Sequence, residues 1–105
     1  LSSVTPNANI LRLRDAFKPE IVNTPVRRVC YIAQLILSGE AEKDEAHLQM
    51  LRGIELLSQV LTDFDSRAQL DKATEAVMDE QYYQALKALR TLLPREERLL
   101  AADRA

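Results

Sequence analysis

Between Thr24 and Gly39 the apolar residues stand at Val26, Val29, Cys30, Ile32, Ala33, Leu35, Ile36 and Leu37. At about 100° per residue they cover most of a helix circumference. A helix this apolar belongs at the centre of a core or in an interface. Thr24 is a good N-cap, and Pro25 suits the first helical position, where its missing N–H costs nothing. Gly39 suits the left-handed position just past the end, so the predicted helix covers residues 25–38.

Further along, Met50, Ile54, Leu57, Leu61 and Phe64 follow a 4-3-4-3 spacing on one stripe, widened by Leu56 and Val60. This predicts a second helix from Ala41 to Thr62, with an acidic first turn (Glu42, Asp44, Glu45) that suits the positive end of the helix dipole. Gly53 inside it costs about 1 kcal/mol relative to Ala, and close packing against a neighbouring helix is the expected reason for it. A third helix is predicted over residues 66–79, capped by Asp65 or Ser66, with Leu70, Ala73, Val77 and Met78 as its apolar set. After a break near Asp79-Glu80, Tyr82, Leu86, Leu89 and Leu93 form the stripe of a helix over 81–93, flanked by Ala85 and Leu92. Pro94 ends that helix or opens a short last one, with Glu96 and Glu97 in the first turn and Leu99-Leu100 as its apolar residues.

Residues 1–22 read differently. Leu1 to Asn7 is turn-like, and Leu11 and Leu13 then alternate with Arg12 and Arg14 as in a short strand or extended arm. A single strand is not stable alone. Lys18 to Val22 suits one helical turn. The expected architecture is mainly α: an antiparallel helical bundle of four to five helices over residues 23–105, preceded by a short N-terminal strand or extended arm over residues 1–22.

Composition agrees with helix. Leu and Ala supply 30 of the 105 residues, and Gly39 and Gly53 are the only glycines. The length suits one small domain. A chain 47% hydrophobic and 29% charged is a soluble globular protein rather than a disordered one. No apolar run approaches the roughly 20 residues that cross a bilayer, so no membrane partner is expected. Cys30 is the only cysteine, which excludes an intrachain disulfide and fits a reducing compartment such as the cytoplasm.

Candidate chemistry is sparse. Cys30 and the single histidine, His47, cannot build the usual Cys/His zinc site. There is no glycine-rich phosphate loop, nucleophile elbow or metal-ligand pair, so the expectation is a non-enzymatic protein without cofactor or metal. His47 reads as a surface histidine with no orienting partner, and Cys30 as a small core residue. The pairs Asp44-Glu45, Asp63/Asp65 and Asp79-Glu80 read as caps and solvated faces.

Charge is uneven. The net charge is −2. Residues 1–30 carry Arg12, Arg14, Lys18, Arg27 and Arg28 against Asp15 and Glu20, a net of +3, while residues 31–105 carry 9 basic and 14 acidic groups, a net of −5. The argument against a polybasic nucleic-acid binder therefore holds for the body of the chain and not for its amino end. Arg27 and Arg28 in the first turn of a helix oppose the dipole, at about 0.3–1 kcal/mol each if exposed. Two explanations stand side by side: salt bridges to Asp15 or Glu20, or a phosphate or acidic-partner site shared with Arg12, Arg14 and Lys18. Tyr82 continues the core stripe, which leaves Tyr83 as the more available of the two tyrosines for stacking on a base.

Taken in order, several blocks resemble one family: Ala8-Asn9-Ile10-Leu11-Arg12 and the polar stretch to Pro19-Glu20; Thr24-Pro25-Val26-Arg27-Arg28-Val29 with its continuation from Tyr31 to Leu37; and Tyr82-Tyr83-x-Ala85-Leu86-Lys87-x-Leu89-Arg90-x-Leu92-Leu93-Pro94-x-Glu96, followed by Leu99-Leu100. The sequence is similar over residues 8–100 to the FlbT flagellum biosynthesis regulators, with residues 40–75 matching only as an amphipathic helical region. Members usually carry a small β-rich segment before the position of Ala8, which leads to the expectation that this chain, starting at Leu1, is a fragment and that residues 1–22 are the remnant of that segment. The resemblance implies a cytoplasmic, non-enzymatic regulator that associates with the 5′ untranslated leader of flagellin mRNA and changes its translation and decay, with the protein FlaF acting in opposition or alongside. Under that implication Arg12, Arg14, Lys18, Arg27 and Arg28 are the candidate phosphate contacts, and Tyr83 is a stacking candidate. Two other readings are a helical adaptor that binds flagellin, FlaF or export components, and a homodimer formed through helix 25–38.

Overall fold

The computed structural model describes residues 24–104. They form five helices: α1 (Pro25–Leu37), α2 (Lys43–Val60), α3 (Phe64–Met78), α4 (Tyr82–Arg90) and α5 (Leu93–Arg104). The expectation of a mainly α bundle is borne out, with no strand among the described residues. The predicted strand or arm over residues 1–22 and the helical turn at 18–22 lie outside the described residues.

α1 is the centre of the bundle. Val26, Val29, Cys30, Ile32, Ala33 and Leu35 are buried, and the helix packs on both α2 and α4. α3 packs on α2 and α4, and α5 rests on α1. Thr24 caps α1 as predicted: its hydroxyl accepts the Arg27 amide at 3.3 Å. Gly39, at φ 78°, ends α1 in a left-handed turn in which the Gly39 amide donates to Ile36 and the Glu40 amide to Leu35. The end of α3 repeats this turn with Glu80 at φ 59° in the glycine position. Glu80 also forms an ion pair with Lys43 at the start of α2. That pair ties the α1–α2 turn to the α3–α4 turn at one end of the bundle. At the other end Arg95 pairs with Asp63 at 3.3 Å, joining the start of α5 to the α2–α3 turn.

Several details of the sequence reading change. α2 begins at Lys43, because Glu42 caps it by accepting the amides of Asp44 and Glu45. It ends at Val60, because Asp63 rather than Asp65 or Ser66 caps α3, accepting the Ser66 amide at 3.0 Å. Phe64 therefore opens α3 instead of closing the α2 stripe, and it is 86% exposed. Met78, Leu56 and Val60 are exposed too, outside the core. α4 stops at Arg90 rather than at residue 93, and of the two roles open to Pro94 it takes the one in the first turn of α5.

Candidate functional site

The amino end of α1 is where the arginines that opposed the dipole converge with α5. The Val26 amide donates to Oε2 of Glu96 at 2.9 Å, a buried contact between residues seventy apart in sequence. A helix N-terminus leaves its first amides without intrahelical partners and carries partial positive charge. The Glu96 carboxylate, only 7% exposed, answers both. Next to it, the Arg27 guanidinium donates to Oε1 of Glu97 at 3.0 Å, with both side chains partly in water. Arg27 is thus salt-bridged to Glu97 of α5, a carboxylate other than the two expected. Asp15 and Glu20, the expected partners, lie outside the described residues, as do the candidates Arg12, Arg14 and Lys18.

Arg28 is exposed one residue further on. It stands on the rim of a groove of about 300 Å³ between α2 and α5, floored by α1. Because Glu96 occupies the α1 amide, an anion at this end meets arginine side chains rather than helix N–H groups.

The structure does not bring Tyr83 to this place. Tyr83 is exposed near the start of α4, with Nζ of Lys87 5.4 Å from its ring centre. That start is tied to the opening of α2 by Lys43–Glu80 and by Tyr82, whereas Arg27 and Arg28 sit at the end where α5 begins. The two parts of the candidate site stand at opposite ends of α1, which is about 20 Å long by its thirteen residues.

Tyr82 is buried, as its stripe predicts. Its hydroxyl lies 2.7 Å from Nδ1 of His47, and the two rings meet edge to face with centres 5.9 Å apart. His47 is therefore partly buried and oriented by a partner, a correction to its reading as an unpartnered surface histidine. Burial pushes the Tyr82 hydroxyl above its ordinary pKa. Cys30 is in the core as expected, and burial pushes its thiol up to about 11. Among the described residues there is no group of three or more His, Cys, Asp or Glu that could hold a metal, and no helix long and apolar enough to cross a membrane.

The groove itself was not visible in the sequence. Its one trace there is that Leu56 and Val60 sit beside the Met50–Leu61 stripe rather than on it. The residues of the homodimer reading, in helix 25–38, mostly line this chain's own core, with Leu37 exposed at the far end.

The sequence model of the family described as "Flagellar protein FlbT" matches residues 2–100. A protein of Chelativorans sp. named "Probable flagellum biosynthesis repressor protein FlbT" is 33% identical over 101 residues, covering 93% of this chain and 68% of that relative. A relative of the same name from Allorhizobium ampelinum is 34% identical over 83 residues, covering 79% of this chain and 56% of its own length. Another from Brucella anthropi is 29% identical over 100 residues, covering 92% and 64%. The chain thus spans between about half and two thirds of the length of these curated relatives. No solved structure matches it significantly. With a family match over nearly its whole length, the chain belongs to the FlbT family of flagellar proteins.

Proposed function

We propose that this protein regulates flagellin expression after transcription, by binding the 5′ untranslated leader of flagellin mRNA in the cytoplasm and changing its translation and decay. The observation that carries this reading is the similarity to relatives named as flagellum biosynthesis repressors. The basic amino end supports contact with phosphate. Arg28 projects from the first turn of α1, and Arg27 is held beside it by Glu97. Arg12, Arg14 and Lys18 add charge of the same sign just before this point in the chain. Tyr83 joins such a surface only if a single strand runs the length of α1, so the arginines matter more than the ring.

The test is RNA binding across a salt series. Five phosphate contacts on single-stranded RNA give a slope of about −3.5 in log K against log salt. Arg27→Ala with Arg28→Ala should weaken binding and bring the slope to about −2. A folded double variant with unchanged affinity and slope would reject the site.

A second reading is a helical adaptor that binds flagellin, FlaF or an export component. The −5 charge of residues 31–105 favours it, because an acidic surface repels RNA. A pull-down with and without ribonuclease separates the two: partner capture that disappears with ribonuclease excludes the adaptor.

A further inference from the structure

We infer that the groove between α2 and α5 is the docking site of this chain's own apolar segment, residues 10–17. The groove needs a cover. Leu56 and Val60 of α2 are 61% and 65% exposed on one side, and Leu99 of α5 is 40% exposed on the other. α5 rests on α1 through its first turn, where Glu96 and Glu97 are held. Leu99 and the half-buried Leu100 then line the gap opposite α2. Apolar residues gathered in one groove are unlike the scattered exposed leucines of an ordinary surface.

Position and reach favour the chain itself as the occupant. Pro25, the second described residue, is part of the groove wall together with Val60 and Leu61. The described part of the chain therefore begins at the mouth of the groove. From Leu61 back to Gln49 the groove follows twelve helical residues, about 18 Å. The twelve residues from Leu13 to Pro25 extend to about 40 Å, enough to turn and run back along it. A tether this short holds the segment at an effective concentration of about millimolar, which favours it over a free competitor of equal affinity.

Pattern and charge agree. In an extended segment alternate side chains face opposite sides. Leu11 and Leu13 can then enter the groove together while Arg12 and Arg14 face water, and Ile10 and Phe17 add apolar surface at either end. The rim carries Arg28 and Arg52, and the tether over residues 15–24 carries Asp15, Lys18 and Glu20, a net of −1.

Trypsin cleaves after Arg12 and Arg14, whereas Pro19 protects the bond after Lys18, so limited digestion of the full 105-residue chain reads the docking directly. Leu56→Asp with Val60→Asp should speed cleavage at these sites about tenfold, because it frees the segment while the helix content stays the same. Met78→Asp, an exposed apolar residue outside the groove, should leave the rate as it was. Equal rates in the parent chain and the folded groove variant would overturn the proposal. An independent measurement is oxidation of Leu13→Cys with Val60→Cys across a dilution series. Docking gives a disulfide within one chain whose yield does not depend on concentration. Disulfides between chains that grow with concentration would assign the groove to a second copy, and no disulfide at all would leave it to another partner. Either result overturns docking of the segment.

Discussion

Gly53 of α2 lies so close to Val29 of α1 that a Cβ on it would stand 2.5 Å from the Val29 Cγ2 methyl. This explains a glycine in the middle of a helix. Gly53→Ala gains about 1 kcal/mol of helix propensity. It also forces a buried β-branched neighbour to move, at about 1–3 kcal/mol. The variant should be destabilised by about 1 kcal/mol in urea unfolding. Adding Val29→Ala should remove the clash, so that Gly53→Ala becomes neutral or stabilising in that background. Equal effects of Gly53→Ala with and without Val29 would show that the contact is not the reason for the glycine.

Glu96 predicts a graded pair of variants. Glu96→Ala leaves the buried Val26 amide without its acceptor and should cost about 2 kcal/mol. Glu96→Gln keeps an acceptor but loses the charge at the helix N-terminus, and should cost about 1 kcal/mol. In a domain this small the two losses correspond to about 10 °C and 5 °C in Tm. Calorimetry of both variants checks the order; Gln as costly as Ala would mean that the hydrogen bond contributes nothing by itself.

Stability should fall in acid. Asp63 is held below its ordinary pKa first by the Ser66 hydroxyl, then by the Ser66 amide and Arg95. Glu80 is held below its own by Lys43. In both cases the unfolded chain binds more protons than the native one, so the contribution is present above about pH 4 and lost as pH drops through the native values. Lys43, raised by Glu80, has the opposite sign: its contribution holds below its ordinary value and is lost in strong base. Thermal melts from neutral pH to pH 2 should show the acid loss, and Asp63→Asn with Glu80→Gln should flatten it. An unchanged slope in that variant would assign the acid limb to other carboxylates.

The Cys30 thiol should be silent in the native state. With burial pushing its pKa to about 11, roughly a thousandth of it is thiolate at pH 8, and that fraction is enclosed. Alkylation should follow the unfolded population, rising with urea along the same curve as helix loss. Fast labelling without denaturant would mean that α1 opens locally.

Most of the helices were legible because each buries a stripe with a clean helical period. Leu70, Ala73 and Val77 on α3, and Tyr82, Leu86 and Leu89 on α4, are buried where the spacing puts them. The α2–α3 boundary was not legible. Asp63, Asp65 and Ser66 are all able caps, and Phe64 keeps the right spacing straight through a turn. A contact distant in sequence, Arg95 on Asp63, accompanies the cap actually used. The same limit governs the candidate site. The Arg27 partner, Glu97, is seventy residues away, and the His47 partner, Tyr82, is thirty-five away. Periodicity on one helix carries no information about either.

The Val26–Glu96 bond also bears on the order of folding. The first four helices pack on one another along their lengths, whereas α5 is joined to α1 mainly through its first turn, by a bond that closes a loop of seventy residues. Loop closure must be met before such a contact contributes, so the α1–α4 bundle can assemble first and α5 fasten afterwards. Amide hydrogen exchange should then divide the molecule into two cooperative units, with α5 opening at a lower free energy than the four helices it rests on.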